Sequence, residues 1–109
     1  NYLGYLYVDA GENLESAEAL IKRALVIEPD NGASIDSLGW LYYKKGKFAD
    51  AVRELSRAAV LLDDPVILDH LGDAYLKVNE KEKARAHWEK ALKLDPSLEK
   101  VKQKLEKLK

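Results

Sequence analysis

The apolar positions of this chain fall in short runs at helical spacing, separated by turn signals. In the middle of the chain Phe48, Ala51, Val52, Leu55, Ala58, Ala59 and Leu62 follow the i, i+3, i+4, i+7 pattern of one buried helix face. Leu14, Ala17, Ile21, Ala24 and Leu25 do the same before it, and Ala84, Trp88, Ala91 and Leu92 after it. Ahead of each series stands Gly11, Gly46 or Asn79, residue types that tolerate the left-handed conformation ending a helix. Each unit closes on proline and aspartate, in Glu28-Pro29-Asp30-Asn31-Gly32, Asp63-Asp64-Pro65 and Asp95-Pro96-Ser97, which predicts helix starts there. The predicted unit is helix A, tight turn, helix B, short loop. No strand alternation occurs, so the predicted class is all-α.

Before each turn the segment Leu-Gly-x-x-Tyr recurs: Leu3-Gly4-Tyr7, Leu38-Gly39-Tyr42 and Leu71-Gly72-Tyr75, with glycine spacings of 35 and 33 residues. A mid-helix glycine costs about 1 kcal/mol relative to alanine, so it needs a structural return. Close approach of helix B supplies one, and the small residues Ala51 and Ala58 are the expected facing partners.

These residues resemble the tetratricopeptide repeat, a unit of roughly 34 residues. The third unit carries its pattern in Leu68, Leu71, Gly72, Tyr75, Ala84, Trp88, Ala91 and Pro96. The second carries it in Ile35, Leu38, Gly39, Tyr42, Ala51, Leu55 and Ala58, with a late proline at Pro65. The first carries it in Leu3, Gly4, Tyr7, Ala17, Ile21, Ala24 and Pro29, with one extra residue near Glu12-Asn13. The resemblance implies a right-handed α-solenoid of three helix-turn-helix repeats in a single domain. Repeat 1 spans about 1–31, repeat 2 about 32–64 and repeat 3 about 65–96. Pro96 is expected to open a last helix, about 97–109, with Leu98, Val101, Leu105 and Leu108 on one face and lysine on most of the other. It reads as the solvating cap that a stack needs at its end. By the same register, helix A of the first repeat is N-terminally truncated. Tyr2, Leu3, Tyr5, Leu6, Tyr7 and Val8 make it apolar nearly all round, which predicts a longer parent protein.

Composition narrows function mainly by exclusion. With 18 basic and 19 acidic residues there is no global pull toward nucleic acid or anionic membrane. The absence of cysteine removes disulfides and thiolate metal sites, and leaves the compartment open. No stretch approaches the roughly 18 apolar residues of a membrane span. Charge is nevertheless uneven. Residues 1–36 hold two basic and seven acidic side chains, whereas residues 76–109 hold eleven basic and six acidic. Two solvated ends account for this; end-to-end self-association is the sharper alternative.

Catalytic signals are lacking. There is no Gly-x-Ser-x-Gly elbow and no phosphate-cradling glycine loop, and an open helical curve excludes water poorly. Asp69, His70 and Asp73 fall within one helical turn and admit a weak metal site, but a polar groove lining explains them better. The expectation is a non-enzyme with no cofactor and no metal.

Members of the resembled family bind extended peptides or helices on the concave face of the A helices. That register places Tyr5, Asp36, Trp40, Tyr43, Lys44, Asp69, His70, Asp73 and Lys77 on the face. Structural roles compete: Tyr5 and Tyr43 can pack between repeats, Trp40 can be part of the core, and Lys44 and Lys77 complement helix-end dipoles. Tryptophan and tyrosine are nonetheless common interface anchors. With three aspartates beside them, they predict a protein or peptide partner bearing apolar and basic groups. Chaperone-binding members grip a terminal carboxylate with cationic and amide side chains. The corresponding positions here are Asn1, Tyr5, Ser37, Val66 and His70, which predicts no acidic chaperone tail as ligand. A protein-interaction scaffold is therefore the leading reading, and a spacer or self-associating segment of a longer repeat protein the alternative. Nucleic-acid binding through the C-terminal lysines is disfavoured by the acidic first half. The stretch Asp36-Ser37-Leu38-Gly39-Trp40 resembles bacterial members, many of them exported or membrane-associated, without fixing a compartment.

Overall fold

The computed structural model describes residues 13–109. Among them, every regular element is a helix: α1 (Leu14–Ile27), α2 (Gly32–Lys44), α3 (Phe48–Leu61), α4 (Pro65–Lys77), α5 (Lys81–Leu94) and α6 (Glu99–Lys107). Each packs on its neighbours in sequence, and α2 also touches α4. Contact limited to near neighbours along the chain is the mark of a helical-repeat solenoid. α2 and α4 are the A helices of two units; α1, α3 and α5 are B helices. No helix among the described residues is long and apolar enough to cross a membrane.

The A–B turns close as the turn residues predict. Gly46 has φ +79° and Asn79 φ +63°. In each turn the left-handed residue bonds three residues back and its successor five back. Gly46 N–H donates to Tyr43 O (3.0 Å) and Lys47 N–H to Tyr42 O (2.8 Å). Asn79 N–H donates to Leu76 O (3.1 Å) and Glu80 N–H to Tyr75 O (2.9 Å). The final carbonyls of α2 and α4 are thereby satisfied.

Two of the three proline-bearing helix starts differ from expectation. Pro65 is the first residue of α4, and Asp64 caps that helix by accepting from Val66 N–H. Pro29 and Pro96 instead sit in tight turns, closed by Asn31 N–H to Glu28 O (3.2 Å) and Leu98 N–H to Asp95 O (3.4 Å). Asn31 then caps α2 through Ser34 N–H. Asp95 is consumed locally, accepting from Ser97 N–H (3.0 Å) and Oγ–H (2.6 Å). The last helix therefore starts at Glu99, not at Pro96.

The core runs along the stack as linked clusters. Ala17 and Ile21 of α1 meet Leu38 and Leu41; Ala51 and Leu55 meet Leu71 and Ala74; Ala84 and Trp88 meet Val101. The repeat glycines do allow close approach, but the residues they admit are large rather than small. A Cβ on Gly39 would lie 2.6 Å from Leu55 Cγ, and one on Gly72 2.3 Å from Trp88 Nε1. Ala51 and Ala58 flank Leu55 about one helical turn to either side, and the alanines Ala84 and Ala91 flank Trp88 likewise. The large side chain plugs the glycine notch; the alanines let the backbones close around it.

Candidate interaction groove

The A-helix face is built on a row of stacked rings. Trp40 of α2 lies face-on to His70 of α4, with centroids 4.1 Å apart and planes 15° from parallel. Tyr43, one turn along α2, stacks on the same indole at 4.6 Å and 11°. Phe48, opening α3, meets Tyr43 edge-on at 5.3 Å. His70 Nδ1 is 2.9 Å from Asp36 Oδ1. That bond holds the ring in place against Trp40. Asp36, Trp40 and His70 are all buried. They form a floor joining the two repeats, with Tyr43 and Phe48 half-exposed above it and Lys44 and Lys77 exposed at its rim. The ammonium of Lys44 stands 5.2 Å from the Trp40 ring and that of Lys77 5.6 Å from the Phe48 ring.

Beside this floor, α6 reaches into the groove. Lys104 Nζ lies 2.7 Å from Asp69 Oδ1 and 2.9 Å from Asp73 Oδ1. Burial pushes the Asp73 carboxyl above its ordinary range, against the pull of Lys104 and with some repulsion from Asp69. For Lys104, burial acts to lower the ammonium, but its hydrogen bonds to Asp69 and Asp73 prevail and hold it above the usual lysine value. The two shifts are consistent: the cation faces two anions, whereas each anion shares one cation. Burial likewise raises the Tyr43 phenol, with Asp73 adding to the effect.

This network changes the expected groove in three respects. Trp40 is buried in the floor, with the next repeat's His70 stacked on its ring. Truncating it would damage the α2–α4 contact as well as any binding. The three aspartates expected to attract a basic partner are already engaged, Asp36 by His70 and the other two by Lys104. The same pairings occupy the ligand set that a metal at Asp69, His70 and Asp73 would need. Tyr5 falls outside the described residues. Lys104 and Phe48, absent from the predicted set, lie against its members: Lys104 on Asp69 and Asp73, Phe48 on Tyr43.

Lys104→Ala is expected to cost about 1–3 kcal/mol, because it strands two part-buried carboxylates. Urea denaturation measures the loss. Adding Asp69→Asn and Asp73→Asn should abolish most of it in a mutant cycle. A midpoint unmoved by the lysine change would contradict the pairing.

Residues 65–98, which comprise α4, the following turn and α5, match the profile of the tetratricopeptide repeat. A TPR repeat-containing protein of Pseudomonas aeruginosa is 40% identical over 73 residues, 67% of this chain. The chain belongs to the tetratricopeptide-repeat family. Such repeats generally mediate protein–protein interaction and are generally non-catalytic. Subunit 7 of the anaphase-promoting complex of Mus musculus is 30% identical over 94 residues, 86% of this chain. The chain spans only 12% and 17% of the length of these two curated relatives.

Among solved structures, a thermophilic TPR protein of Thermus thermophilus superposes with TM-score 0.78 at 26% identity, over 87% of this chain and 49% of that one. The first TPR of Spaghetti (RPAP3), bound to the HSP90 peptide SRMEEVD, superposes with TM-score 0.89 at 21% identity, over 98% and 85% of the respective chains. The latter likeness is one of fold. In tetratricopeptide-repeat terms, Asp36, Trp40, Tyr43 and Lys44 lie on the A helix of one repeat, and Asp69, His70, Asp73 and Lys77 on that of the next.

Proposed function

We propose that this tetratricopeptide-repeat domain is a non-catalytic module that holds a peptide or protein segment in the groove of α2 and α4, with α6 forming one wall. The observation that carries this reading is the half-exposed Tyr43 and Phe48 standing on a buried, cross-repeat floor of Trp40 and His70. Rings held rigidly in place offer apolar contact at little entropic cost on binding. The groove differs from one built to hold a terminal carboxylate. At the positions corresponding to such a clamp, Ser37 Oγ–H donates to Ala33 O, Val66 is apolar and His70 Nδ1 faces Asp36. These three positions offer no lysine or arginine to the terminal carboxylate of a peptide such as SRMEEVD.

Selection from a random peptide library, followed by amide shift mapping, tests the reading. Ligands should perturb α2, α4 and the Lys104 turn of α6, and amidating a ligand's C-terminal carboxylate should leave that pattern unchanged. Perturbations confined to the outer helices α3 and α5, or to the chain ends, would overturn it.

A further inference from the structure

The charge left available at the groove is positive. Among the described residues, every groove carboxylate has a cationic or histidine partner within 3.1 Å: Asp36 has His70, and Asp69 and Asp73 have Lys104. By contrast, Lys44 and Lys77 make no ion pair among those residues, yet both are exposed and both stand against the aromatic row. They occupy equivalent places in the last turns of α2 and α4, so their ammonium groups mark one edge of the groove. The nearby Lys45 is excluded from this set because Glu15 and Glu18 hold it at 2.6 and 3.1 Å. The opposite edge, where B helices turn into A helices, carries Glu28, Asp30, Asp63, Asp64 and Asp95.

We infer that the ligand is an acidic peptide segment with interspersed apolar or aromatic residues. Its side-chain carboxylates would meet Lys44 and Lys77, and its apolar side chains would lie on Tyr43 and Phe48. Each lysine stands beside a ring with its ammonium open to solvent, where it can make a charge-assisted hydrogen bond to a carboxylate. This is side-chain recognition at the groove edge, and it needs no chain terminus. A nucleic-acid strand fits less well: among the described residues, Lys44 and Lys77 are the two unpaired cations against the aromatic row, and regularly spaced phosphates would also pass the acidic loops between B and A helices. The inference rests on the groove reading above and reverses the partner charge expected from sequence.

The test compares three fluorescein-labelled peptides by anisotropy. One alternates glutamate with leucine and phenylalanine, and the other two replace glutamate by glutamine or by lysine. The glutamate peptide should bind about ten-fold more tightly than the glutamine peptide, and added salt should weaken it. The Lys44→Glu, Lys77→Glu variant should lose about ten-fold, with helix content and melting unchanged, and Lys44→Arg, Lys77→Arg should restore binding. Equal or better binding of the lysine peptide would overturn the inference, as would tighter binding of oligoadenylate. If library-selected ligands still perturb α2 and α4 but show no acidic preference, the charge assignment fails and the groove stands. If nothing perturbs those helices, both fail.

Discussion

Trp88→Ala is expected to lower stability by about 3–5 kcal/mol, at the upper end for a single substitution in a chain of this size. The indole is 1% exposed. It packs in one cluster with Ala84 and Val101, against which Leu98, Leu105 and Leu108 also lie. Its Nε1–H donates to the backbone carbonyl of Asp69 at 3.2 Å, and its ring lies in the notch left by Gly72. Lys104, which holds the groove carboxylates, stands 5.7 Å from its centroid. One side chain thus joins α4, α5 and α6. Because a solenoid is stabilised by contacts between neighbours, the damage should stay local. Hydrogen exchange should show α5 and α6 losing protection first, while α2 and α3 keep most of theirs. Urea denaturation gives the total. A loss below about 1 kcal/mol, or exchange that rises evenly along the chain, would refute this account of how the C-terminal repeat is held.

The parts of this structure that were legible in sequence are those set by local chemistry. Helical spacing located α1, α3 and α5, because burial of one face leaves a period that any reader can count. Gly46 and Asn79 marked their turns because few other residues accept a positive φ. Pro29 and Pro96 misled because proline suits a turn as well as a helix start, and Asn31 and the Asp95–Ser97 turn decided between the two. Groove charge was harder to read, since a carboxylate's availability depends on a partner far along the chain. Yet the partners follow the repeat period. Asp36 meets His70 34 residues on, and Asp69 meets Lys104 35 residues on. In a stack whose units recur at that spacing, residues one period apart on successive A helices face each other. Carboxylates one repeat away from a lysine or histidine mark both pairs. Phe48 escaped for another reason: it opens a B helix, where the family register places no groove residue.

Gly72→Ala should prove more damaging than Gly39→Ala, at a net cost of about 2–3 kcal/mol. Alanine gains about 1 kcal/mol in helix propensity over glycine, so the steric term must exceed that gain. It does so because the new Cβ would lie 2.3 Å from Trp88 Nε1 and 2.5 Å from Cδ1. A rigid, buried indole cannot bend away; it must tilt as a whole and strain its bond to Asp69 O. At Gly39 the obstacle is Leu55, with Cγ at 2.6 Å and Cδ2 at 2.8 Å. A leucine can change rotamer, although its backbone nitrogen at 3.2 Å limits the room, so about 1–2 kcal/mol is expected there. The deciding measurement is a change of sign. In a Trp88→Ala background the notch is empty, and Gly72→Ala should then stabilise the protein by about 1 kcal/mol through propensity alone. If the substitution remains destabilising without the indole, the glycine serves the α4 backbone and not the large side chain of the facing helix.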